Sequence, residues 1–314
     1  MKAVVCTQYG PPEVLQLKEV IKPSPRHDEV CIKIHASAVT ASDIYIRGSQ
    51  LPLRFRLPMR LALGITKPRK ILGMVLAGEI EAVGKDISRF KPGDQVYGVT
   101  GFGLGAYAQY KCMKETDSMH GCLAQKPATI SYEEATTAAY GGLLALQRLE
   151  EGNVQPGQRV LIYGASGTSG TMAVQLARYF GAEVTGVCST RNMDFVRSLG
   201  AHQVIDYTKD ESAHLLTSYD LMLDTAGKAK TSKLKALCRA SLGSIGKYIS
   251  IDDGKLELKA ARLETIREVI DAGAIRPVVD RTFSLDQIVE AHQYVEQGRK
   301  RGGVAITIEH ESLG

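Results

Sequence analysis

The chain has 314 residues, of which 44% are hydrophobic and 23% are charged. This composition indicates a globular protein of one large or two ordinary domains and excludes intrinsic disorder of the whole chain. The 39 Lys and Arg residues outnumber the 34 Asp and Glu residues by five, too few to indicate nucleic-acid binding. The absence of tryptophan and the aromatic content of 6% argue against a surface on which bases or sugars stack.

The six cysteines are scattered along the chain and form no C-x-x-C pair. Such spacing differs from the clustered disulfide framework of a small secreted protein. Residues 1–10 lack the apolar core of a signal peptide, and no apolar run approaches the ~18–20 residues of a membrane span. The sequence therefore predicts a cytoplasmic protein without stable membrane insertion.

Short strands separated by turns are predicted in the N-terminal part of the chain, beginning with the apolar segment Met1–Thr7. Apolar and more polar side chains alternate with a period of two in Glu29–Ala38 and again in Gly78–Gly84. The segment Phe90–Gly98 combines a Pro-Gly-Asp turn with a further strand. Several short strands at this spacing predict a small β-barrel or sandwich.

The pattern changes near residue 130. Ser131–Leu149 is rich in Ala and Leu and predicts a helix, with Ser131 and Glu134 at capping-box spacing. Beyond it, apolar strands without alternation are separated by helices, which is typical of a parallel sheet buried on both faces. The predicted strands are Arg159–Tyr163, Glu183–Cys188, Gln203–Asp206, Tyr219–Asp224 and Gly246–Ile251. The predicted helices are Thr168–Phe180, Asn192–Leu199, Thr231–Leu242 and Arg262–Ala272.

Two domains follow from this change. The first is a β-rich domain of residues 1–128, completed by a C-terminal segment, 277–314, because the tail Val304–Ile308 returns to a strand. The second comprises residues 129–276 and holds the parallel sheet. The predicted fold class is α/β, with a β-rich domain joined to a doubly wound parallel sheet.

The segment that follows the first strand of this sheet has the spacing of a dinucleotide-binding turn. Gly167 lets the backbone approach a pyrophosphate, and Gly170 lets the helix pack closely on the strand. A helix that starts at Thr168 directs free N–H groups and its positive dipole end at phosphates. The alternative is a plain tight turn. The residues predicted to bind the cofactor here are Gly164, Ala165, Ser166, Gly167, Thr168, Ser169 and Gly170.

The end of the second parallel strand selects the cofactor. An NAD site usually has a carboxylate about 20 residues past the glycines, but Ser189, Thr190 and Arg191 stand there. A guanidinium suits a 2′-phosphate, so the sequence predicts NADPH. Arg191 as a solvated helix-start residue is the alternative. Tyr207 and Lys209 are either further contacts to the adenosine or solvated loop residues.

The chain resembles the medium-chain dehydrogenase/reductase superfamily, most closely its zinc-free quinone oxidoreductase branch. The segments that carry the resemblance are Met1–Val4, Ile32–Gly48, Gly73–Gly98, the phosphate turn, Gly186–Asn192, Leu199–Tyr207 and Phe283–Gly298. The resemblance implies a GroES-like catalytic domain, a Rossmann domain, an active cleft between them, and a homodimer formed through the edge of the Rossmann sheet.

Zinc ligands of the related alcohol dehydrogenases are missing at the matching positions. A Cys begins the turn that here starts at Thr40, and a His-Glu pair stands where this chain has Met74 and Val75. Zn²⁺ prefers thiolate, imidazole or carboxylate ligands, so no metal is predicted. Cys112, Cys122 and His120 do not make up the missing four-cysteine lobe and are interpreted as loop residues.

Candidate catalytic residues follow from the same resemblance. Tyr45 either donates a hydrogen bond from its phenol to the substrate oxygen or is a rim or packing tyrosine. Asp43 either faces the substrate or anchors its turn. Thr40 stands where the branch commonly has an Asn near the nicotinamide, and Gly246 is placed near the nicotinamide ribose. Leu144 replaces a threonine that often contacts the cofactor, which puts one hydrogen bond in doubt.

Three hypotheses of function remain open from the sequence. The first is an NADPH-dependent reductase that transfers hydride to a quinone or an α,β-unsaturated carbonyl without a metal, because a conjugated acceptor needs less electrophilic assistance than a simple ketone. The alternatives are an enoyl-thioester reductase and a nucleotide-binding adaptor without turnover. The basic and apolar stretch 47–70 is a lid, a membrane-surface contact or a solvated loop, with three prolines that break any long helix.

Overall fold

The structure is a computed structural model that describes residues 1–48, 64 and 71–310. The basic and apolar stretch 47–70 therefore lies outside the described residues, apart from Arg47, Gly48 and Gly64. The chain divides into two compact units. The first comprises Met1–Tyr140, Leu258–Arg267 and Val279–Gly314, and the second comprises Gly141–Glu257 and Glu268–Val278. The domain limits given by the sequence, 1–128 with 277–314 and 129–276, stay a prediction.

The first unit is built on β-strands. These are β1 (Lys2–Cys6), β2 (Leu15–Glu19), β3 (Glu29–Ala38), β4 (Val75–Val83), β5 (Gln95–Val99), β6 (Tyr110–Lys114), β7 (Cys122–Gln125), β13 (Val279–Ser284) and β14 (Gly303–Thr307). The strands β1 and β2 pair with each other. The other seven form one sheet in the order β13-β14-β3-β4-β5-β7, with β6 also paired to β3.

The ten-residue strand β3 organises this sheet. It is antiparallel to β14, β4 and β6, so three strands depend on its register. Its alternate side chains Val30, Ile32 and Ile34 are fully buried, as the period-two pattern predicts, and they pack in the core with Leu76 and Ile80 of β4. The strand ends at Ala38, so it also fixes the start of the helix that follows.

Within the described residues, the helices of the first unit are α1 (Ala41–Gly48), α2 (Tyr132–Thr137), α8 (Ile288–Glu296) and residues 260–267 of α7 (Ala260–Asp271). The predicted capping box is confirmed, because the Ser131 hydroxyl accepts from the Glu134 N–H while the Glu134 carboxylate accepts from the Ser131 N–H. The predicted helix Ser131–Leu149 is not one regular helix. A π-helical segment, Ala138–Gly142, separates α2 from α3 (Leu143–Gly152).

The interrupting segment packs closely against another helix. A side-chain carbon at Gly141 would lie 2.9 Å from the backbone oxygen of Thr168, so the chain passes directly against the start of that helix. Single π-helical turns within α-helices are frequent at functional sites.

The second unit contains a five-stranded parallel sheet in the order β10-β9-β8-β11-β12. Its strands are β8 (Arg159–Tyr163), β9 (Glu183–Cys188), β10 (Gln203–Asp206), β11 (Tyr219–Asp224) and β12 (Leu242–Ser250). The helices between or beside them are α3, α4 (Thr168–Tyr179), α5 (Met193–Ser198) and α6 (Lys233–Ala240), and residues 268–271 of α7 also belong to this unit. The bounds predicted for the first four strands are confirmed, and the fold class is confirmed.

A helix that spans a lipid bilayer needs about 20 consecutive, mostly apolar residues. Within residues 1–48, 64 and 71–310, no helix is long and apolar enough to cross a membrane.

Candidate functional site

The turn that joins β8 to α4 is anchored to both neighbouring strands. Gly164 has a φ of +85°, a conformation that favours glycine. Its N–H and that of Ala165 both donate to the Val187 carbonyl of β9 at 3.0 Å. On the opposite side, the Thr225 hydroxyl after β11 donates to the Gly164 carbonyl at 3.0 Å. The sheet therefore holds the turn in place before any ligand binds.

The two later glycines of the turn have different surroundings. A methyl group at Gly170 would lie 2.2 Å from the Gly164 carbonyl oxygen, so the close approach of helix and strand requires glycine there. A methyl group at Gly167 would meet only the same oxygen, at an ordinary 3.5 Å. Gly167 therefore borders open space, and a ligand can approach its backbone.

The start of α4 can hold an anion. Gly167 precedes the helix and supplies no side-chain cap, and the first-turn N–H groups of any α-helix lack acceptors within the helix. They lie at the positive end of the helix dipole, which suits a pyrophosphate. The side chains of Ala165 and Ser169 are buried, so these residues present backbone atoms. The open side of Gly167 gives the phosphates the room that they need.

A residue that the sequence did not single out connects this turn to the loop after β9. Buried Asn192 donates from Nδ2 to the Ser166 hydroxyl at 3.0 Å. The hydroxyl of Ser166 is thereby oriented, and the 3₁₀ turn Thr190–Asn192 is held beside the phosphate turn. The contact joins positions 26 residues apart, which no local pattern indicates.

The loop after β9 carries the residues predicted to select the cofactor. Thr190 and Arg191 are exposed, and Ser189 is half-buried. The Thr190 hydroxyl donates to Asp206 Oδ2, and the Thr208 hydroxyl donates to Asp206 Oδ1 at 2.7 Å. Asp206 ends β10 beside Cys188, so a carboxylate lies next to this loop although the loop itself has none.

Asp206 is thus a member of the site that sequence analysis missed. Burial by itself would raise the pKa of this carboxyl, but the hydroxyl donors Thr190 and Thr208 outweigh burial and hold the pKa below its usual value. The carboxylate is therefore charged at neutral pH, and both of its oxygens already accept hydrogen bonds. The sequence feature that could have identified Asp206 is its position at the end of the predicted strand Gln203–Asp206.

Tyr207 and Gly246 are the two other residues of the second unit that the sequence predicts to contact the cofactor. Tyr207 is half exposed, its N–H donates to the Cys188 carbonyl at 3.0 Å, and its ring centroid lies 6.4 Å from that of Tyr163. Gly246 lies within β12, where a methyl group would approach the Tyr219 carbonyl oxygen to 2.8 Å. Close strand packing therefore accounts for the glycine at 246.

A buried ion pair fixes the loop on the other side of the turn. Asp224, at the end of β11, is fully buried, and its Oδ2 lies 2.5 Å from Lys235 Nζ and accepts from the Tyr248 hydroxyl at 2.8 Å. Lys235 also donates to two backbone carbonyls at 2.8 Å, so its charge is well satisfied. This network holds the chain next to Thr225, whose hydroxyl contacts the phosphate turn.

In the first unit, Thr40 and Asp43 cap helix α1 reciprocally. Asp43 Oδ2 accepts from the Thr40 N–H at 2.9 Å and from its hydroxyl at 2.6 Å, and the Asp43 N–H donates to Thr40 Oγ1 at 3.2 Å. Asp43 is buried, and burial raises its pKa to about 6 despite the Thr40 donors. It lies in the first turn of α1, and its bonds to Thr40 anchor the turn that follows β3.

Tyr45 lies one helical turn beyond Ser42 on α1 and is 47% exposed. Within the part of the chain that the structure describes, its phenol has no hydrogen-bond partner, so it can donate to a ligand. The Ser42 hydroxyl lies 2.7 Å from the Tyr140 hydroxyl, which follows α2 in the π-helical segment. Sequence analysis missed this pair, because the two residues stand 98 positions apart.

The positions that match the zinc ligands of alcohol dehydrogenases hold side chains with other contacts in this structure. The Thr40 hydroxyl donates to Asp43, and Val75 is buried in β4. Over residues 1–48, 64 and 71–310, no three His, Cys, Asp or Glu side chains converge as a metal site would require. The predicted lack of a catalytic metal stays a prediction.

Comparison with known families covers most of the chain. The family described as "Alcohol dehydrogenase GroES-like domain" matches residues 26–127. The family described as "Zinc-binding dehydrogenase" matches residues 170–263 and, in a second form, residues 244–306. The first match lies within the β-rich unit, residues 170–263 lie mostly in the parallel-sheet unit, and residues 244–306 span parts of both units.

Individual proteins match over nearly the whole chain. The chloroplastic quinone-oxidoreductase QR1 of Triphysaria versicolor is 31% identical over 98% of this chain and 98% of its own. The chloroplastic NADPH-dependent alkenal/one oxidoreductase of Arabidopsis thaliana is 29% identical, over 98% of this chain and 79% of its own. The solved structure of the quinone oxidoreductase from Coxiella burnetii has a TM-score of 0.82 at 26% identity, covering 98% of this chain and 99% of its own.

The contrast between Gly167 and Gly170 gives a first prediction. Gly170→Ala is expected to lower the free energy of unfolding by about 2 kcal/mol, because the new methyl group meets backbone that cannot move aside. Gly167→Ala is expected to keep wild-type stability and to weaken dinucleotide binding, since its methyl group occupies only the open side. Denaturant unfolding and calorimetric titration with NADPH measure the two effects. Equal loss of stability in both variants would contradict this assignment.

The raised pKa of Asp43 gives a second prediction. A carboxyl with a higher pKa in the folded state binds more protons when folded, so its contribution to stability is present at acidic pH and is lost as the pH rises through about 6. From about pH 4 to pH 7, the free energy of unfolding of the wild type is expected to fall by about 2 kcal/mol relative to Asp43→Asn. Urea unfolding across this range tests it, with the exposed Asp286→Asn as control. Parallel pH profiles for the wild type and Asp43→Asn would refute it.

Proposed function

This chain belongs to the medium-chain dehydrogenase/reductase superfamily, in its quinone oxidoreductase branch, and we propose that it transfers hydride from NADPH to a quinone or an α,β-unsaturated carbonyl. It is an oxidoreductase that uses a nicotinamide cofactor. The observation that carries the proposal is the turn Gly164–Gly170, which is held by two strands and is open at Gly167. The names of the relatives from Triphysaria and Arabidopsis support the two acceptor classes.

Hydride transfer to a conjugated acceptor requires the protein mainly to position the cofactor and the acceptor. When bound, NADPH supplies a hydride, and a conjugated acceptor spreads the resulting charge over a hydroquinone or an enolate. The protein then has to orient the acceptor and provide a hydrogen-bond donor near its oxygen. The protein residues proposed for these tasks carry the reaction without a metal.

Arg191 supports NADPH rather than NADH. Its guanidinium is exposed beside Thr190, in the loop where a 2′-phosphate would lie, and it can form paired charge-assisted hydrogen bonds. Asp206 favours the alternative, NADH, because a carboxylate can accept from a ribose hydroxyl. Both oxygens of Asp206 already accept from Thr190 and Thr208, so we assign the cofactor preference to Arg191.

Tyr45 is proposed as the donor to the substrate oxygen. Its phenol is exposed on α1, and the buried Thr40–Asp43 cap fixes the helix that carries it. Thr40 is a weaker candidate, because its hydroxyl hydrogen is already donated to Asp43. The Ser42 and Tyr140 hydroxyls, 2.7 Å apart, are the next source of a proton if Tyr45 is dispensable.

Two further properties are proposed for this chain. A homodimer is proposed through β12, which lies at an edge of the parallel sheet and exposes 87% of Ile245. A reducing, cytoplasmic compartment is proposed because all six cysteines are free.

Turnover and the role of Tyr45 are tested together. The purified protein is expected to oxidise NADPH when a quinone or an enone is added, and Tyr45→Phe is expected to lower kcat by about 10² while its unfolding midpoint is unchanged. Tyr179→Phe, whose phenol is 51% exposed on α4, is the matched control and should keep wild-type activity. Full activity in Tyr45→Phe would remove Tyr45 from the mechanism. Inertness toward both acceptor classes, with NADPH bound, would favour an adaptor.

Cofactor selection is tested by parallel titrations of NADPH and NADH. Arg191→Ala is expected to raise the Kd for NADPH by about tenfold or more and to leave the Kd for NADH unchanged, because it removes one charge-assisted contact. Arg197→Ala is the control, since Arg197 is exposed on the neighbouring helix and pairs with Asp194 at 2.7 Å. Equal affinities for the two cofactors that the substitution leaves unchanged would overturn the choice of NADPH.

A further inference from the structure

Two cysteines that the sequence showed only as scattered residues are direct neighbours in the sheet of the first unit. Cys31 lies on β3 and Cys112 on β6, and the antiparallel register places them opposite each other. Residues directly opposite in an antiparallel pair project to the same face. The two cysteines stand 81 positions apart in the chain, so only the strand pairing reveals them.

The hydrogen-bond pattern of β3 identifies the kind of pair that they form. The Ile34 N–H donates to the Gln109 carbonyl on the β6 side, at 2.9 Å. The Glu29 carbonyl accepts from the Gly84 N–H on the β4 side, at 2.8 Å. From Glu29 to Ile34, even-numbered residues of β3 therefore bond toward β6 and odd-numbered residues toward β4. Cys31 and Cys112 consequently form a pair without mutual backbone hydrogen bonds.

This type of pair suits a disulfide. Its Cα atoms are about 4.5 Å apart in antiparallel sheets, which lies within the range of about 4.4–6.8 Å seen across disulfides. A covalent bond between the two sulfur atoms would therefore require side-chain rotation and little movement of the backbone. The strands are already paired from Glu29–Lys114 to Lys33–Tyr110, so the bridge would preserve the existing register.

The surroundings favour reaction at this pair over the other four cysteines. Cys31 is 1% exposed, but Cys112 is only half-buried and gives a small oxidant access. The neighbouring Cys112 thiol lowers the pKa of Cys31, against burial and the nearby Glu81 carboxylate. The Cys31 thiol and burial raise the pKa of Cys112, so Cys31 is the nucleophile of the pair. Lys22 Nζ lies 2.6 Å from the Glu81 carboxylate and offsets its charge. Burial raises the pKa of each thiol outside the pair, to about 11 at Cys6 and about 12 at Cys122, Cys188 and Cys238.

We propose that Cys31 and Cys112 form a reversible redox pair that a hydroperoxide oxidises to a disulfide and that a thiol reductant restores. The Cys31 thiolate attacks a peroxide oxygen, so an S–O bond forms, the O–O bond breaks, and water leaves after protonation. The Cys112 sulfur then attacks the sulfenic sulfur, so the S–S bond forms and the S–O bond breaks. The proton of Cys112 leaves with the hydroxide as water. Two thiols and one hydrogen peroxide thus give one disulfide and two waters.

The test is a thiol count on the folded protein. The reduced protein is treated with hydrogen peroxide, the peroxide is removed with catalase, and free thiols are alkylated in denaturant. The six alkylated cysteines are expected to fall to four, with one cross-linked peptide pair containing Cys31 and Cys112 by mass spectrometry. Dithiothreitol should restore six. Six free thiols after treatment, or a sulfinic acid at Cys112 with Cys31 still free, would overturn the proposal.

Two single-cysteine variants show whether the cross-link forms between Cys31 and Cys112. Cys112→Ser is expected to abolish the cross-link and to leave Cys31 as a sulfenic acid that dimedone traps. Cys238→Ser, which removes a buried thiol of the second unit, is expected to lose two thiols on oxidation as the wild type does. A cross-link that persists in Cys112→Ser, or that disappears in Cys238→Ser, would assign the chemistry to other cysteines and refute the proposal.

Discussion

The contact between Gly170 and the Gly164 carbonyl is the constraint on which the second unit depends. With 2.2 Å available for a methyl group, helix α4 can start directly above β8 only because residue 170 has no side chain. That approach places the helix N-terminus at the end of a strand, beside an open Gly167. Backbone geometry, rather than any charged side chain, therefore gives this turn the features that suit an anion.

Buried carboxylates hold the loops from which the site residues come. Asp43 follows β3, Asp206 ends β10, and Asp224 ends β11. Each carboxylate accepts from nearby donors, and Lys235 adds a full counter-charge at Asp224. Leaving such a group without partners in the protein interior would be strongly unfavourable, so these networks restrict each loop to one arrangement. The site thus owes its order to residues that need not touch a ligand.

The sequence-based predictions succeeded where the physical cause is local. The strand bounds around the turn, the capping box at Ser131 and the fold class all depend on side-chain periodicity or on spacings of a few residues. The predicted helix beyond Ser131 failed as a single regular helix: a π-helical segment interrupts it where Gly141 packs on Thr168, 27 positions later. Asp206 was overlooked because the rule for NAD sites looks only at the end of the second strand.

The amino-acid order alone determined that a strand, a glycine turn and a helix follow one another near residue 164, since backbone freedom and hydrophobic period are properties of short segments. It also determined that thiol and hydroxyl groups are available in number. Only the tertiary structure decided which side chains meet: Ser42 with Tyr140, Asn192 with Ser166, and Cys31 with Cys112. Strand register and helix packing depend on the whole core, so such distant pairings appear only after the chain has folded.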